Sequence, residues 1–368
     1  MEFCKYSDEE FEALFMSIIN PVNSMKVSSY KFAFARFLIE HSYNSNNTHV
    51  TFDEISYYFL KYYWTQECRS KLVQSIRYPK SNGEYKEPAI ITIIRDEFGT
   101  LVYPDSFNEI EKKHPEKIQN CKNKIKKSVF GDVTYAFQRI GHGDQMKDLH
   151  GVFFTFDYTK EKIRPKHSMN KPIIDISKGI TLNPYAKNYF VKYNSTLYKT
   201  VILEWVRFLE NYNLGVPKLV DKVEGIIEKR SNLSKQSKIL YSYFKKCFYC
   251  KILLNAKNDP DNSSQDKHVE HVIPFSFMRE DEMWNFVLAC KKCNCKKLAS
   301  LPPEIFLDEL FSMHEKFQDK IPELKYSLNK LGKDPQTEIR NHYSRSKKLG
   351  FLVLDDFLNF RVKNYSNA

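Results

Sequence analysis

Two Cys-x-x-Cys pairs constrain this sequence more than any other feature. Cys247 and Cys250 form the first pair, and Cys290 and Cys293 form the second. Each pair can present two thiolates to one ion, and two such pairs complete the closed tetrahedral site that is typical of structural zinc. Such a site holds together a small module that has little core of its own. Cys295 remains as a spare thiol. A zinc ribbon that only folds, or that binds a partner, is the simplest interpretation of the cysteines alone.

Composition agrees with a metal site in a reducing compartment. Five of the eight cysteines lie between positions 247 and 295, and the N-terminus lacks the basic and then apolar order of a secretory signal. We therefore expect a cytoplasmic protein whose clustered thiols bind metal rather than form disulfides. The sequence has no apolar run of about 18 residues, so we expect no membrane-spanning helix. The net charge of +12 suits a protein that binds nucleic acid, although it is not specific to one.

The segment between the two cysteine pairs contains side chains that a plain zinc ribbon does not need. His268, Glu270 and His271 lie in an alternating run that ends at a proline. Asn285 and Asn294 follow it. On a regular strand Glu270 and His271 point to opposite faces, so both can reach one phosphate only where the strand twists or ends. His268 shares the face of Glu270 and competes as a base, but we interpret it as a surface or supporting histidine.

These residues resemble the HNH endonuclease family, which has the ββα-metal fold. The matching positions are Glu270-His271, Asn285 and Asn294, with Lys297 at the family's basic position. The core is similar to the HNH domain of RNA-guided CRISPR effector nucleases, and the cysteine pairs are similar to those of zinc-bearing HNH restriction enzymes. Nothing upstream resembles the guide-binding parts of CRISPR effectors, so RNA guidance is not part of the hypothesis.

The resemblance implies a mechanism that uses one divalent metal. His271 would be the general base that takes a proton from water, because imidazole exchanges protons near neutral pH. Glu270 and Asn294 would bind Mg²⁺ or Mn²⁺ through oxygen, Asn285 would fix the backbone or ring orientation of His271, and Lys297 would contact a phosphate. The family more often has Asp at the position of Glu270, and the extra methylene changes where the carboxylate can reach.

The N-terminal part of the sequence predicts helices with one short strand. Ser7 with Glu10, and Thr51 with Glu54, each have the spacing of a capping box at a helix start. A further helix is predicted over 30–42, and a short β-like stretch over 49–52. The order helix, helix, strand, helix is winged-helix-like. Such a unit could bind DNA or only pack against its neighbours, and we favour packing.

The middle of the chain predicts a mixture of strands and helices. Residues 89–94 and 152–156 are rich in β-branched and aromatic side chains, which predicts strands. Between them, 112–127 is rich in lysine, either as a patch that contacts phosphates or as the solvated face of an amphipathic helix. We slightly favour the helix face. From residue 195 onward apolar residues recur at helical spacing.

The sequence therefore predicts an α+β protein with a helical, winged-helix-like N-terminal region, a mixed middle region and a C-terminal ββα-metal HNH module with structural zinc. The predicted regions are 1–90 (helical), 91–194 (mixed, of unknown role), 195–244 (helical connector), 245–325 (HNH module) and 326–368 (C-terminal extension).

The leading functional hypothesis is a DNA endonuclease of bacterial restriction or anti-phage defence. Two alternatives stay open: a zinc-dependent protein that binds nucleic acid or a partner without catalysis, and an effector that cuts RNA. A protein partner or a homo-oligomer could be needed for activation, and no membrane partner is expected.

Overall fold

The computed structural model describes residues 3–20, 29–75, 78–79, 85–100, 105–141, 147–159, 173–225, 232–255 and 266–355. Within these ranges the chain is mixed α+β, as predicted, with many helices and short strands. Among the described residues, no helix has both the length and the apolar character that crossing a bilayer requires.

The helices are α1 Asp8–Ile19, α2 Tyr30–Asn44, α3 Phe52–Trp64, α4 Ala89–Phe98, α5 Phe107–Lys113, α6 Pro115–Ser128, α7 Phe130–Phe137, α8 Pro184–Lys192, α9 Asn194–Glu210, α10 Leu219–Glu224, α11 Ser234–Tyr243, α12 Phe275–Met278, α13 Lys291–Lys297, α14 Ile305–Phe317, α15 Pro322–Asn329 and α16 Pro335–Lys348. The strands are β1 His49–Val50, β2 Tyr78–Pro79, β3 Tyr85–Lys86, β4 Arg139–Ile140, β5 Lys147–Asp148, β6 Phe154–Phe156, β7 Tyr158–Thr159, β8 Ile173–Ile174, β9 Ile180–Leu182, β10 Lys267–His271 and β11 Phe286–Cys290.

The predicted helix starts are present near the N-terminus. At α1 the Ser7 hydroxyl accepts a hydrogen bond from the Glu10 amide at 3.2 Å, and the Glu10 carboxylate accepts one from the Ser7 amide at 2.8 Å. This confirms the first capping box. At α3 the Thr51 hydroxyl caps the helix in the same way. The Glu54 carboxylate instead contacts the His41 ring at 2.9 Å and ties α3 to α2.

The strand predicted over residues 89–94 is wrong. This segment begins helix α4, which buries Ile90, Ile91, Ile93 and Ile94. Positions i, i+1, i+3 and i+4 lie on one face of a helix, but a short apolar run of this kind does not distinguish helix from strand by itself. In the structure the segment is helical and packs against α6. The strand predicted over 152–156 is confirmed in its second part, which is β6.

The lysine-rich segment forms the end of α5 and most of α6. Helix α6 buries Ile118, Cys121 and Ile125 on one face, so most of its lysines lie toward solvent. Two of these lysines form ion pairs, Lys122 with a carboxylate of α3 and Lys124 with one of α4. These contacts support the interpretation of 112–127 as a solvated helix face.

The predicted order of helix, helix, strand and helix is present, but the strand, β1, pairs with a strand far along the chain. Strand β1 pairs antiparallel with β9, which also pairs antiparallel with β6. One buried apolar cluster extends from Phe11 to Val223 and packs this small sheet among helices α1 to α10. A second cluster extends from Leu240 to Phe351. We call these the N-terminal body and the C-terminal body; the finer division into five regions stays a prediction.

The two bodies contact each other through buried polar groups. The Lys222 ammonium on α10 has no solvent exposure and donates to the carbonyl oxygens of Pro217 and Phe277. Burial lowers the pKa of Lys222 well below its usual range. Close by, Gly215 has a φ of +74°, and a Cβ there would lie 2.6 Å from the guanidinium carbon of Arg345. Helix α12, which contains Phe277, follows β10 and is thereby fixed against the N-terminal body.

Candidate active site and metal centre

A hairpin and a following helix form the frame of the site. Strands β10 and β11 are antiparallel, with Lys267 opposite Cys290 and His271 opposite Phe286. Strand β11 is buried along its whole length, whereas β10 is only half-buried. Helix α13 begins directly after Cys290 and packs against both strands. The order and packing are those of a ββα unit, as predicted.

The four predicted cysteines come together at the base of this unit. The Sγ atoms of Cys247, Cys250, Cys290 and Cys293 all lie within 4.8 Å of one another, and all four residues are buried. Cys250 Sγ and Cys290 Sγ are 3.7 Å apart. A tetrahedron with Zn–S bonds of about 2.3 Å has edges of about 3.8 Å, so this spacing fits zinc. Cys295 is exposed and lies outside the cluster, as a spare thiol should.

The first cysteine pair is held by a tight turn that is anchored to the hairpin. The Cys247 amide donates to the Ile252 carbonyl at 2.8 Å, and the Lys251 amide donates to the Cys247 carbonyl at 2.9 Å. Lys251 takes the left-handed conformation, with a φ of +62°, that such a turn requires. The Phe248 amide donates to the Leu288 carbonyl of β11. These bonds orient the thiols of Cys247 and Cys250 toward those of Cys290 and Cys293.

The thiols interact strongly with one another. Hydrogen bonds from Cys250, Cys290 and Cys293 lower the pKa of the Cys247 thiol. A cation that binds sulfur displaces the protons of the thiols that hold it, because zinc is bound by thiolates. The donor set and its spacing therefore both suit a structural zinc ion.

Glu270 points toward α13 and meets a buried lysine. Lys297 has no solvent exposure, and its ammonium donates to Glu270 Oε1 at 2.9 Å and to the His271 carbonyl at 2.7 Å. Lys297 lies four residues after Cys293, so the two share the helix face that packs on the hairpin. The structure thus places the Lys297 ammonium inside the module and not at the surface, where a phosphate contact was expected.

His271 lies on the opposite side of the strand from Glu270. His271 as a residue is 8% exposed, and its ring packs edge-on against Phe286 with Nε2 2.9 Å from Asp281 Oδ1. Within the described chain, no contact joins this ring to the Glu270 carboxylate. No motif in the sequence marks Asp281; the acidic run around it, ten residues after the histidine, was the available signal.

Asn285 holds the turn that follows His271. Its side chain is fully buried, Oδ1 accepts from the Ile273 amide, and Nδ2 donates to the Ile273 carbonyl, both at 2.8 Å. The Asn285 carbonyl accepts from the Val272 amide at 2.9 Å. Three hydrogen bonds therefore set the backbone path directly after His271, which is one of the two tasks expected of Asn285.

Two oxygen-bearing side chains remain as candidate ligands for a hard cation. Glu270 is 13% exposed, and only its Oε1 is bound by Lys297. Asn294 is half-exposed on α13, the helix that packs on β10. Carboxylate and amide oxygens are the donors that Mg²⁺ and Mn²⁺ prefer, so the chemistry of this pair fits such an ion. His268 is half-buried on β10, three residues before His271.

Residues 247–303 match a family model described as HNH endonuclease. Over this segment the chain is similar to HNH endonucleases. No curated protein and no solved structure matches the chain. The match begins at Cys247, the first residue of the cysteine cluster, and covers the hairpin and α13. It confirms the family that the sequence motifs predicted, for this part of the chain.

Replacing Asn285 with alanine should destabilise the HNH module by about 2–4 kcal/mol. The change leaves the amide and the carbonyl of Ile273 buried without partners, and each such group costs about 1–3 kcal/mol. Denaturant unfolding followed by the fluorescence of Trp284, which is buried beside it, measures the effect. The matched control is Asn294→Ala, which removes the same amide from a half-exposed site and should stay within about 0.5 kcal/mol. Equal unfolding midpoints for the two variants would contradict the assignment.

Proposed function

We propose that the protein is a metal-dependent HNH endonuclease that cuts DNA. The observation that carries the proposal is that the family match falls on a ββα unit whose β10 ends in Glu270-His271 and whose α13 contains Asn294. The net charge of +12 supports a polyanionic substrate.

His271 is the proposed general base. Its Nε2 is held by the Asp281 carboxylate, which favours the tautomer with the proton on Nε2 and leaves Nδ1 to accept a proton from water. Asp281 therefore acts as a positioning residue that orients the ring. Because His271 is the last residue of β10, a phosphate at this strand end is within reach of side chains on both faces.

Glu270 and Asn294 are the proposed ligands of a catalytic Mg²⁺ or Mn²⁺ ion. When bound, such an ion supplies charge stabilisation at the scissile phosphate and at the leaving oxygen. Lys297 keeps one oxygen of Glu270 in place, which leaves Oε2 for the metal. We therefore propose that Lys297 positions Glu270 rather than contacting a phosphate. The cysteine cluster would hold zinc in a purely structural role.

The test is to incubate purified protein with plasmid DNA, linear DNA, single-stranded DNA and RNA, with and without Mg²⁺ or Mn²⁺. We expect metal-dependent cleavage of DNA. Cutting of RNA alone would favour the RNA-cleaving effector, since the chemistry of the site does not require a 2′-hydroxyl. Failure to cut any substrate would favour a zinc-dependent binding protein. One HNH module cuts one strand, so double-strand breaks would indicate a dimer or two events.

A role in restriction or anti-phage defence, in the cytoplasm, is the biological context we propose. The N-terminal body is much larger than the HNH module and could recognise a target or a protein partner. Phage plating on cells that express the intact protein, compared with cells that express His271→Ala, tests this role. Equal plating on both strains would argue against it.

A further inference from the structure

Three consecutive acidic residues lie in the segment that joins the two strands of the hairpin. Glu280, Asp281 and Glu282 follow α12 and precede β11, and their carboxylates contact different parts of the protein. Glu280 pairs with Lys218 of the N-terminal body at 3.2 Å, and Asp281 contacts the His271 ring. Glu282 instead contacts the end of α15. The carboxylate beside the proposed base therefore lies between two carboxylates that have partners elsewhere.

Glu282 is bound by two side chains, one on α15 and one directly after it. The buried Ser327 hydroxyl donates to Glu282 Oε2 at 3.0 Å and accepts from the Trp284 amide at 3.0 Å. The Lys330 ammonium donates to Glu282 Oε1 at 2.7 Å. In addition, the Glu282 carbonyl accepts from the Asn285 amide at 2.9 Å. Both the side chain and the backbone of Glu282 are therefore fixed, and we call Glu282, Ser327 and Lys330 the α15 anchor.

The two carboxylates that flank Asp281 differ in how firmly they are held. The side chains of Glu280 and Lys218 are 38% and 43% exposed, and an exposed pair of this kind contributes little because water screens it. The Glu282 side chain is only 18% exposed. Hydrogen bonds to an ionised acceptor are stronger than neutral ones, and those of Glu282 are partly enclosed. We therefore expect the position of Asp281 to depend on Glu282 more than on Glu280.

Packing alone does not fix the Asp281 carboxylate. Asp281 lines a cavity of about 200 Å³ that also borders α11, Phe286 and the α15 anchor. A side chain beside a cavity has fewer packing contacts on that side to hold its rotamer. Its contact with His271 Nε2 therefore depends on where the backbone places it. Since neighbouring Cα atoms are only about 3.8 Å apart, fixing Glu282 limits where Asp281 can lie.

We propose that Glu282, held by Ser327 and Lys330, is a positioning residue for the proposed general base. It fixes the turn so that the Asp281 carboxylate meets His271 Nε2 and leaves Nδ1 to accept the proton of water. The HNH family model ends at residue 303, before α15, so the match assigns no role to this anchor. The inference rests on the proposed function, because it concerns the orientation of the same histidine.

The test compares Glu282→Ala with Glu280→Ala in single-turnover DNA cleavage at saturating metal. Each variant removes one carboxylate next to Asp281, so the change in net charge is the same. We expect Glu282→Ala to cut about 10-fold more slowly with unchanged affinity for DNA, since a displacement of about 1 Å in a catalytic group can cost about 100-fold. Glu280→Ala should stay within about twofold of the wild type, because its ion pair is exposed.

A double-mutant cycle separates positioning from a general loss of structure. If Glu282 acts through Asp281, Glu282→Ala should cause no further loss of rate in an Asp281→Ala background. Equal losses in both backgrounds would overturn the proposal, as would a wild-type rate for folded Glu282→Ala protein. Zinc content and melting temperature report folding. If Glu282→Ala does not fold, Lys330→Ala removes one contact at a half-exposed site, and its smaller loss should also vanish in the Asp281→Ala background.

A second measurement does not require cleavage. Nitrogen NMR of labelled histidine rings in the intact protein, with His271 assigned by His271→Asn, reports the environment of Nε2. We expect the ring-nitrogen shifts of His271 to change in Glu282→Ala and to stay the same in Glu280→Ala. Unchanged shifts in Glu282→Ala would overturn the anchor. If the wild-type protein cuts no nucleic acid and the shifts still change as expected, only the catalytic proposal fails.

Discussion

A Cys250→Ser variant should lose its zinc and melt at least about 10 °C lower in its C-terminal body. Serine oxygen does not replace a thiolate on zinc, and zinc binding contributes about 10–16 kcal/mol to the folding of small zinc modules. Here the apolar cluster from Leu240 to Phe351 also stabilises the fold. We therefore expect partial destabilisation of about 3 kcal/mol or more rather than complete unfolding. Metal analysis and calorimetry measure the two effects.

The matched control for the zinc prediction is Cys295→Ser. Cys295 is exposed and lies two residues beyond Cys293 on the same helix, but outside the cluster. Its replacement should leave zinc content and melting temperature unchanged. The cysteine assignment is contradicted if Cys250→Ser retains a full equivalent of zinc, or if Cys295→Ser loses it.

His271→Ala should reduce metal-dependent cleavage by about 10²–10⁴-fold, the usual contribution of a positioned general base. The ring packs against Phe275 and Phe286, so a His271→Asn variant and measurements of zinc content must show that the module remains folded. The readout is the single-turnover cleavage rate at saturating Mg²⁺ or Mn²⁺.

The matched control for the histidine prediction is His49→Ala, which removes an exposed imidazole from β1 in the N-terminal body. It should cut at the wild-type rate. Asp281→Asn tests whether Asp281 only orients the His271 ring. This variant should lower the cleavage rate less than His271→Ala does and should change the pH profile of cleavage. Wild-type rates for a folded His271→Ala protein would exclude His271 as the base.

Local sequence patterns predicted the features that are formed by residues in short, fixed spacings along the chain. The cysteine spacing predicted the thiol cluster, Ser7 with Glu10 predicted a helix start, and Glu270-His271 with its downstream asparagines predicted the HNH family. Each of these signals needs only a few residues in a fixed register, because turns, caps and paired ligands are short-range structures.

The features that the sequence did not predict depend on contacts between segments that are far apart in the chain. Residues 89–94 are β-like in composition, yet they form a helix that packs on α6. Lys297 was expected to contact a phosphate, but its ammonium is buried and donates to Glu270, and a buried ammonium requires such a partner.

The sequence by itself determined the cysteine cluster, the similarity of residues 247–303 to HNH endonucleases and the candidate residues of the site. Only the tertiary structure decided that Asp281 contacts the His271 ring and that the Lys297 ammonium is buried against Glu270. The physical reason is that hydrogen bonds and cavities between segments depend on how whole elements pack, and no periodicity along the chain encodes which faces meet.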